Sequence, residues 1–243
     1  MRRFDGKRYW IVGASEGLGR AVAHRLSDRG ASLVLSARSE DKLKELAARL
    51  PGPAEIAPMD VADDDSVAAR AAQVGAVDGL VFLAGVYWPQ RAEDWQTKEV
   101  AAMLDVNLTG CARVLGQVVP GMVARGRGHI VMTGSLSGFR GLPGAIGYGA
   151  SKAGVMYLAE EMHGELAPKG IDVQLVNPGF IRTRLTDKND FRMPFIMEPE
   201  EAAKEVVDHM THGGFKKSFP FAFSLLFRAS QFMPDWLYYK LFF

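Results

Sequence analysis

The sequence has one cysteine, almost no net charge and no long apolar run. Because Cys111 is alone, neither an internal disulfide nor a cysteine-built metal site is expected, and the five histidines form no convincing ligand cluster. A net charge of +1 gives no field that would favour a nucleic-acid partner. No run of apolar residues reaches the length of about 18 that a spanning helix needs, and the charged N-terminus does not resemble a signal peptide. These absences predict a metal-free, cytoplasmic protein.

The composition is that of one globular domain covering residues 1–243, since 48% of the chain is hydrophobic and no repeat or low-complexity block interrupts it. Short apolar segments alternate with segments of helical periodicity, and this rhythm predicts a parallel sheet with helices on both faces. The predicted strands are Tyr9–Val12, Ala31–Ser36, Ala54–Met59, Val77–Gly85, His129–Thr133 and Ile171–Val176.

A glycine-rich turn follows the first predicted strand. Gly13, Gly17 and Gly19 have the spacing Gly-x3-Gly-x-Gly, and the next residues, 20–26, have helical periodicity. A strand, a glycine turn and a helix open a dinucleotide-binding unit, because the glycines let the backbone approach a pyrophosphate at the helix N-terminus. Glycine-rich turns are common, so this motif alone does not decide between a dinucleotide-binding turn and an ordinary one.

The end of the second predicted strand bears on the choice of cofactor. An acidic residue there would bind the 2′-hydroxyl of NAD, whereas an arginine accommodates the 2′-phosphate of NADP. The sequence has no acid at this point and has Arg38, which favours NADP(H). The alternatives are that Arg38 is an ordinary surface residue, and that Glu16 in the phosphate turn repels the extra phosphate.

Tyr148 and Lys152 are four residues apart, so a helix would place both side chains on one face. An ammonium group near a phenol favours the phenolate, and the pair could then exchange a proton with a substrate oxygen. Such pairs also occur by chance. Ser135 follows the strand that ends at Thr133, where a ligand site is expected, although it could be a turn serine. Asn107 lies in a predicted long helix, Thr97 to Arg125, and spacing alone places it on the surface.

Together these residues resemble the short-chain dehydrogenase/reductase family over roughly residues 7–183. The matching motifs occur in the family's order and spacing, and their agreement makes the resemblance specific. They are Gly13-x3-Gly17-x-Gly19, Asp60-Val61, Asn107, Ser135, Tyr148-x3-Lys152 and Pro178-Gly179. The resemblance implies a single Rossmann-type domain whose doubly wound parallel sheet has about seven strands, with helices on both faces.

The resemblance also implies roles for these residues. Tyr148 would protonate the carbonyl oxygen, Lys152 would lower the pKa of Tyr148 and hold the nicotinamide ribose, Ser135 would position the substrate oxygen, and Asn107 would support a water-linked proton path. Asp60 would meet the adenine side of the cofactor and Thr183 the nicotinamide carboxamide. The full set of expected cofactor contacts is Gly13, Ser15, Gly17, Leu18, Gly19, Arg38, Asp60, Val61, Ala84, Gly85, Tyr148, Lys152, Pro178, Gly179, Ile181 and Thr183.

Three positions depart from the family pattern. Val12 replaces the usual threonine before the first glycine, and Gly134 stands where a second serine is frequent. Phe82-Leu83-Ala84-Gly85 replaces Asn-Asn-Ala-Gly, which removes side-chain amides near the adenine ribose. None of these changes touches the inferred proton chemistry, because Tyr148 and Lys152 are both present.

Residues 185–243 form the predicted substrate lid and a C-terminal aromatic helical extension. Residues 184–197 lack periodicity and could cover a pocket. Aromatic residues crowd positions 215–243, and a polar stripe of Ser224, Arg228 and Gln231 marks a helix that Pro234 ends. Its wide apolar surface could pack on the protein's own core or on a second copy, as in a homodimer or homotetramer. It could instead make peripheral membrane contact, which its aromatic and basic residues would suit.

The sequence therefore predicts an NADP(H)-dependent carbonyl reductase or alcohol dehydrogenase that transfers hydride between nicotinamide and a small-molecule ketone or secondary alcohol. The alternatives are an NAD(H)-dependent alcohol dehydrogenase of the same family and a non-catalytic nucleotide-binding scaffold. A lipophilic substrate is indicated by apolar residues expected around the pocket, namely Leu136, Phe139, Leu142, Phe180, Leu185, Phe191, Phe195 and Ile196.

Overall fold

A computed structural model describes the whole chain, Met1 to Phe243, and places seven strands in one parallel sheet. The strands are β1 (Arg8–Val12), β2 (Ser32–Ser36), β3 (Ala54–Ile56), β4 (Gly79–Phe82), β5 (Gly128–Thr133), β6 (Ile171–Pro178) and β7 (Lys216–Phe219). Their order across the sheet is β3-β2-β1-β4-β5-β6-β7. The order reverses between β1 and β4, so a crevice opens beyond the carboxyl ends of the strands at that point. The predicted doubly wound fold is confirmed.

Helices cover both faces of this sheet. They are α1 (Gly17–Ser27), α2 (Glu40–Ala47), α3 (Asp64–Val74), α4 (Thr97–Leu104), α5 (Gly110–Arg125), α6 (Ile146–Leu166), α7 (Pro199–His212), α8 (Phe221–Ser230) and α9 (Asp235–Phe242). Alternate side chains of β1 enter two separate cores, as the period of a strand requires. Tyr9 and Ile11 pack with α1, α2 and α7, whereas Trp10 and Val12 pack with α3, α5 and α6.

The edge strand β7 was absent from the sequence-based strand assignment. Its sequence, Lys-Lys-Ser-Phe, lacks the apolar run of a central strand, and it pairs only with β6, where Leu175 is the partner of Lys216. Lysines are common on edge strands because they discourage pairing with another chain. The predicted strands Ala54–Met59 and Val77–Gly85 are shorter in the structure, since each ends in a loop that borders the crevice.

The predicted long helix from Thr97 to Arg125 is divided by a π-helical turn at Asp105–Thr109, between α4 and α5. The prediction that Asn107 lies on the surface is wrong, because this residue is fully buried within the π turn. Such a turn holds one more residue than an α-helical turn, and it occurs frequently at functional sites. Here it directs a polar side chain into the interior.

The C-terminal extension forms α8 and α9, and Pro234 precedes α9 as the predicted helix break. The predicted polar stripe does not face water as a unit, because Ser224 is buried while Arg228 and Gln231 are exposed. Residues 184–197 hold one short 3-10 turn, Thr186–Lys188, and are otherwise irregular, in agreement with the prediction. None of the helices has the length and apolar content required to cross a membrane.

Candidate active site

The first turns of α6 place Tyr148 and Lys152 on the side of the helix that faces β5. Lys152 is 5% exposed, and its Nζ donates a hydrogen bond to the carbonyl oxygen of Thr133 at 2.9 Å. The Nζ atom lies 5.7 Å from the centre of the Tyr148 ring. The four-residue spacing therefore brings the two groups together, but the ammonium is bound to backbone and not directly to the phenol.

The pKa values of this pair reflect burial more than mutual attraction. Burial raises the pKa of Tyr148 to about 12, and the Ser135 hydroxyl opposes this rise. Burial lowers the pKa of Lys152 to about 8. Desolvation is the main cause of both shifts, and the proposal that Lys152 lowers the pKa of Tyr148 stays a prediction. Tyr148 is consequently held as a neutral phenol, which can donate a proton.

Ser135 follows β5 in an extended conformation and is 8% exposed. Its Oγ accepts hydrogen bonds from the Ser137 hydroxyl at 2.9 Å and from the Ser137 backbone N–H at 3.2 Å. These two bonds use Ser135 Oγ as an acceptor, so its hydroxyl proton can be donated to Tyr148 or to a ligand oxygen at the same place in the cavity. The sequence reasoning missed Ser137, although the Ser-x-Ser spacing directly after a strand was a signal for it.

The amide of Asn107 holds the backbone that follows β4. Its Oδ1 accepts from the N–H of Val86 at 2.7 Å, and its Nδ2 donates to the carbonyl oxygen of Val86 and to Ser151 Oγ, each at 3.0 Å. A Cβ added to Gly85 would lie 3.4 Å from Asn107 Oδ1 and 3.9 Å from Lys152 Nζ. Asn107 therefore positions the cleft wall next to Lys152.

The glycine turn leaves room that side chains would fill. Gly13 has a φ of +95°, and a Cβ there would lie 2.4 Å from the backbone nitrogen of Ala84. A Cβ at Gly19 would lie 1.9 Å from the carbonyl oxygen of Gly13. Gly17 has a φ of +50° and faces Thr183. The turn can thus approach β4 closely and leave its backbone N–H groups open to a phosphate.

The N-terminus of α1 suits an anion because no acidic residue lies in its first turn and no side chain caps it. The carboxylate of Glu16 is ion-paired with both Lys42 and Arg184. The repulsion expected from Glu16 is thereby offset by two cations at the same edge of the cleft. Arg38 is exposed at this edge and has no carboxylate partner.

A cleft of about 750 Å³ runs along the carboxyl ends of β1, β2 and β4 to α6. Its wall includes every residue that the sequence predicted as a cofactor contact: Gly13, Ser15, Gly17, Leu18, Gly19, Arg38, Asp60, Val61, Ala84, Gly85, Tyr148, Lys152, Pro178, Gly179, Ile181 and Thr183. Asp60 is partly committed to its own loop, because its Oδ1 accepts from the N–H of Ala62 at 3.0 Å.

The departures from the family pattern have structural explanations. Val12 and Phe82 are buried in the core between the sheet and α5, so they replace polar contacts with apolar packing. Leu83 lines the cleft wall. A Cβ at Gly134 would lie 2.2 Å from Asn177 Oδ1, so a serine at this position would require Asn177 to move.

A second cavity of about 950 Å³ meets the cleft at Tyr148. Ser135 and Tyr148 supply polar groups at this junction. Of the apolar residues predicted around the pocket, Leu136, Leu142, Phe180, Leu185 and Phe191 line it, but Phe139, Phe195 and Ile196 do not. Phe139 packs on the core instead. The apolar lining that the sequence did not specify comes from Tyr87, Pro89, Phe223, Leu226, Phe227 and Phe242.

Tyr87 joins the phenol of Tyr148 to the irregular segment, residues 184–197. Its ring makes an edge contact with that of Tyr148, with 5.1 Å between centroids, and its hydroxyl donates to Asn189 Oδ1 at 2.9 Å. Lys188 donates to the carbonyl oxygen of Tyr87 at 2.7 Å and lies over the ring of Trp88. Residues 186–189 are therefore fastened over one side of the cavity.

The C-terminal extension is fastened to the loop that follows Ser135. Arg140 donates to the carbonyl oxygens of Ser230 and Met233 and to the carboxylate of Asp235, and its guanidinium lies 3.9 Å from the centre of the Tyr238 ring. Tyr238 is 1% exposed, and its hydroxyl donates to the carbonyl oxygen of Gly141. The expectation that the extension packs on the protein's own chain is met along this side.

Comparisons with known proteins agree with the geometry. The family model described as short chain dehydrogenase matches residues 7–192. An uncharacterized oxidoreductase from Myxococcus xanthus is 35% identical over 94% of this chain and 93% of its own. A 3-oxoacyl-acyl-carrier-protein reductase from Thermotoga maritima is 33% identical over 94% of this chain and 92% of its own.

A solved structure shows the same likeness in three dimensions. A short-chain dehydrogenase from Sphingobium yanoikuyae, in complex with NADPH, superposes with a TM-score of 0.83 at 29% identity, over 93% of this chain and 94% of that one. The match of the family model to most of the chain, together with these relatives, identifies the protein as an oxidoreductase. It is a member of the short-chain dehydrogenase/reductase family.

Proposed function

We propose that this NAD(P)-dependent oxidoreductase is an NADP(H)-dependent carbonyl reductase for lipophilic ketones. The observation that carries the proposal is the position of Tyr148. This residue lies where the glycine-lined cleft meets the apolar cavity, so a ketone in the cavity and a dinucleotide in the cleft would both reach its hydroxyl.

The proton chemistry follows from the burial of that hydroxyl. A bound dihydronicotinamide would supply the hydride that reduces the carbonyl carbon. The neutral Tyr148 phenol, whose pKa is raised to about 12, gives its proton to the carbonyl oxygen as negative charge develops there. Ser135 donates a hydrogen bond to the same oxygen. The products are a secondary alcohol and the oxidised cofactor, and solvent returns one proton to Tyr148.

The other site residues position these groups. Lys152 is held at the Thr133 carbonyl and reaches the cleft wall at Gly85, where it would bind the ribose next to the nicotinamide. Asn107 fixes Val86 and thereby the wall that Lys152 faces. A water-linked proton path through Asn107, which the resemblance implies, stays a prediction. Thr183 beside Gly17 would reach the carboxamide.

The preference for NADP(H) is supported by the charges at the far end of the cleft. Glu16 is engaged by Lys42 and Arg184, which leaves Arg38 as an unpaired cation for a 2′-phosphate. The related Sphingobium structure contains NADPH. The homodimer or homotetramer expected for the family, and a cytoplasmic location, remain predictions.

The apolar cavity supports a lipophilic substrate. Phenylalanine and leucine side chains line it, while the polar residues Ser135 and Tyr148 mark the place of the reacting carbonyl. The Thermotoga relative is a 3-oxoacyl reductase by name. A ketone on an acyl chain, a lipid ketone and a steroid-like ketone are therefore the substrates to assay first.

Titration with NADPH and NADH, followed by nicotinamide fluorescence at constant salt, tests the cofactor assignment. We expect tighter binding of NADPH, and the Arg38→Asp variant should weaken it by about tenfold to a hundredfold, which corresponds to about 1.4–2.8 kcal/mol. NADH binding should change little. The matched control is Arg127→Asp, which makes the same charge change at an exposed site outside the cleft.

The titration, together with an assay of ketone and alcohol turnover, also separates the rival functions. Tighter binding of NADH by the unmodified protein would contradict the NADP(H) assignment and favour NAD-dependent alcohol oxidation. Binding of either cofactor without turnover of any ketone or alcohol would favour a nucleotide-binding scaffold.

A further inference from the structure

The outward side of α8 and α9 is apolar to an unusual degree. Eight large apolar side chains there are between 46% and 89% exposed: Phe221, Leu225, Leu226, Phe232, Trp236, Tyr239, Leu241 and Phe243. We call these residues the aromatic face. Monomeric soluble proteins seldom expose so many large apolar groups side by side.

α8 differs from an ordinary surface helix, because two of its three buried residues are serines and only Phe223 is apolar. Ser224 and Ser230 are buried, and each hydroxyl donates to the carbonyl oxygen of the residue three positions earlier in the helix. Phe221 and Leu225 point outward instead. A helix that buries two serines with one phenylalanine and exposes its other large apolar groups is suited to an apolar environment on its outer side as well.

The position of the extension is fixed without any partner. Arg140 binds two carbonyl oxygens and Asp235, and the buried Tyr238 binds the Gly141 carbonyl. The aromatic face is therefore a preformed surface. No ordering of the tail is needed for it to bind.

The charges around this face distinguish between partners. Arg228 and Lys240 are exposed within α8 and α9, while Asp235, the one acidic residue there, is ion-paired with Arg140. A symmetric contact between two copies would bring two such patches together, each with these cations and with no unpaired carboxylate to offset them. An anionic bilayer offers the opposite charge, and Trp and Tyr side chains favour the membrane–water interface.

The aromatic face is also continuous with the substrate cavity. Leu226 is 47% exposed and lines the cavity, and its neighbours Phe227 and Phe242 line it as well. We propose that the aromatic face of α8 and α9 docks on an anionic lipid bilayer, which brings the edge of the substrate cavity to the membrane. The docking itself does not depend on the proposed reductase function.

Flotation of the full-length protein with vesicles tests the docking directly. The vesicles contain equal amounts of phosphatidylcholine and phosphatidylglycerol, and pure phosphatidylcholine vesicles serve for comparison. We expect binding to the anionic vesicles that weakens as salt is raised. The double variant Phe232→Ser/Trp236→Ser should bind at least about tenfold more weakly, because it removes two large exposed apolar groups.

A matched control removes two exposed aromatic side chains elsewhere. Trp95 and Tyr157 are 52% and 68% exposed and lie outside the extension, so Trp95→Ser/Tyr157→Ser should leave vesicle binding unchanged. The double variant in the extension should keep its turnover of a water-soluble ketone, because neither Phe232 nor Trp236 lines the cavity.

The possible results separate this inference from the proposed function. Absence of vesicle binding by the wild type, or equal binding by both double variants, would overturn docking even if ketone turnover is normal. A stable dimer that dissociates in Phe232→Ser/Trp236→Ser would show that the face binds a second copy instead. Vesicle binding without any reductase activity would leave the docking intact and reject the proposed function.

Discussion

The two ends of the cofactor cleft are built in different ways. At the end with Tyr148, the functional side chains are largely buried, and backbone groups fix Lys152 and Asn107 in place. At the end with Arg38, the charged side chains are exposed or half-buried, and they pair with one another or, in the case of Arg38, with no carboxylate. Under the proposed function, proton transfer would depend on exact placement, whereas the choice of cofactor would depend on a charge balance that single substitutions can shift.

The largest loss should come from the catalytic end. Replacement Tyr148→Phe removes the one phenol at the junction of the cleft and the cavity, and we expect kcat for ketone reduction to fall by about 10²- to 10⁴-fold. NADPH affinity, measured by fluorescence titration, should stay close to that of the wild type. Tyr87→Phe is the matched control, since it keeps the ring contact with Tyr148 and loses only the bond to Asn189. Normal turnover by Tyr148→Phe would contradict the view that this end of the cleft carries the proton transfer.

The pH dependence should be set by Lys152. Burial lowers the pKa of Lys152 to about 8, so its ammonium form is present below that pH and is lost as the pH rises through it. We expect kcat/KM for the cofactor to fall above this pH, approaching about tenfold for each pH unit. Tyr148 stays protonated through the same range, because its pKa is about 12.

A substitution that preserves the charge sharpens this test. A guanidinium stays protonated at any accessible pH, so Lys152→Arg should lower activity but abolish the fall above pH 8. If the same fall persists in Lys152→Arg, the titrating group is not Lys152.

A smaller effect is expected for Asn107→Ala. The change removes the partner of both backbone groups of Val86, and we expect a loss of about 1–2 kcal/mol in the free energy of unfolding and a weaker grip on the cofactor. Thermal unfolding and NADPH titration measure these effects. Asn189→Ala, in the irregular segment, should leave the unfolding temperature nearly unchanged. Equal losses in both variants would mean that Asn107 is no more than an ordinary polar residue.

The fold and most of the cleft could be predicted from the sequence because local patterns encode them. Alternating apolar segments gave the strands, and the glycine spacing located the turn that packs against Ala84. Ser135 follows the carboxyl end of β5, where ligand sites lie in such sheets, and the first turn of α6 brings Tyr148 to the same cavity. The strand β7 was not predicted, because its two lysines and one serine are typical of an edge strand and do not form an apolar run.

The parts that could not be predicted depend on contacts between distant segments. The burial of Asn107 requires the π turn and the backbone of Val86, neither of which leaves a local pattern. The raised pKa of Tyr148 could not be predicted either, because it depends on how far the folded chain removes the phenol from water. The same holds for the bond between Tyr87 and Asn189, which joins residues that are 102 positions apart.

Arg140 couples the C-terminal extension to the loop that follows Ser135, so the two segments form one structural unit. Its guanidinium links the loop after Ser135 to Ser230, Met233 and Asp235. A chimaera that exchanged the last two helices with those of a relative would have to exchange residue 140 with them. Transfer of the last two helices alone would leave their carbonyl oxygens and Asp235 without the guanidinium that binds them, so we expect substitutions in the two segments to be correlated.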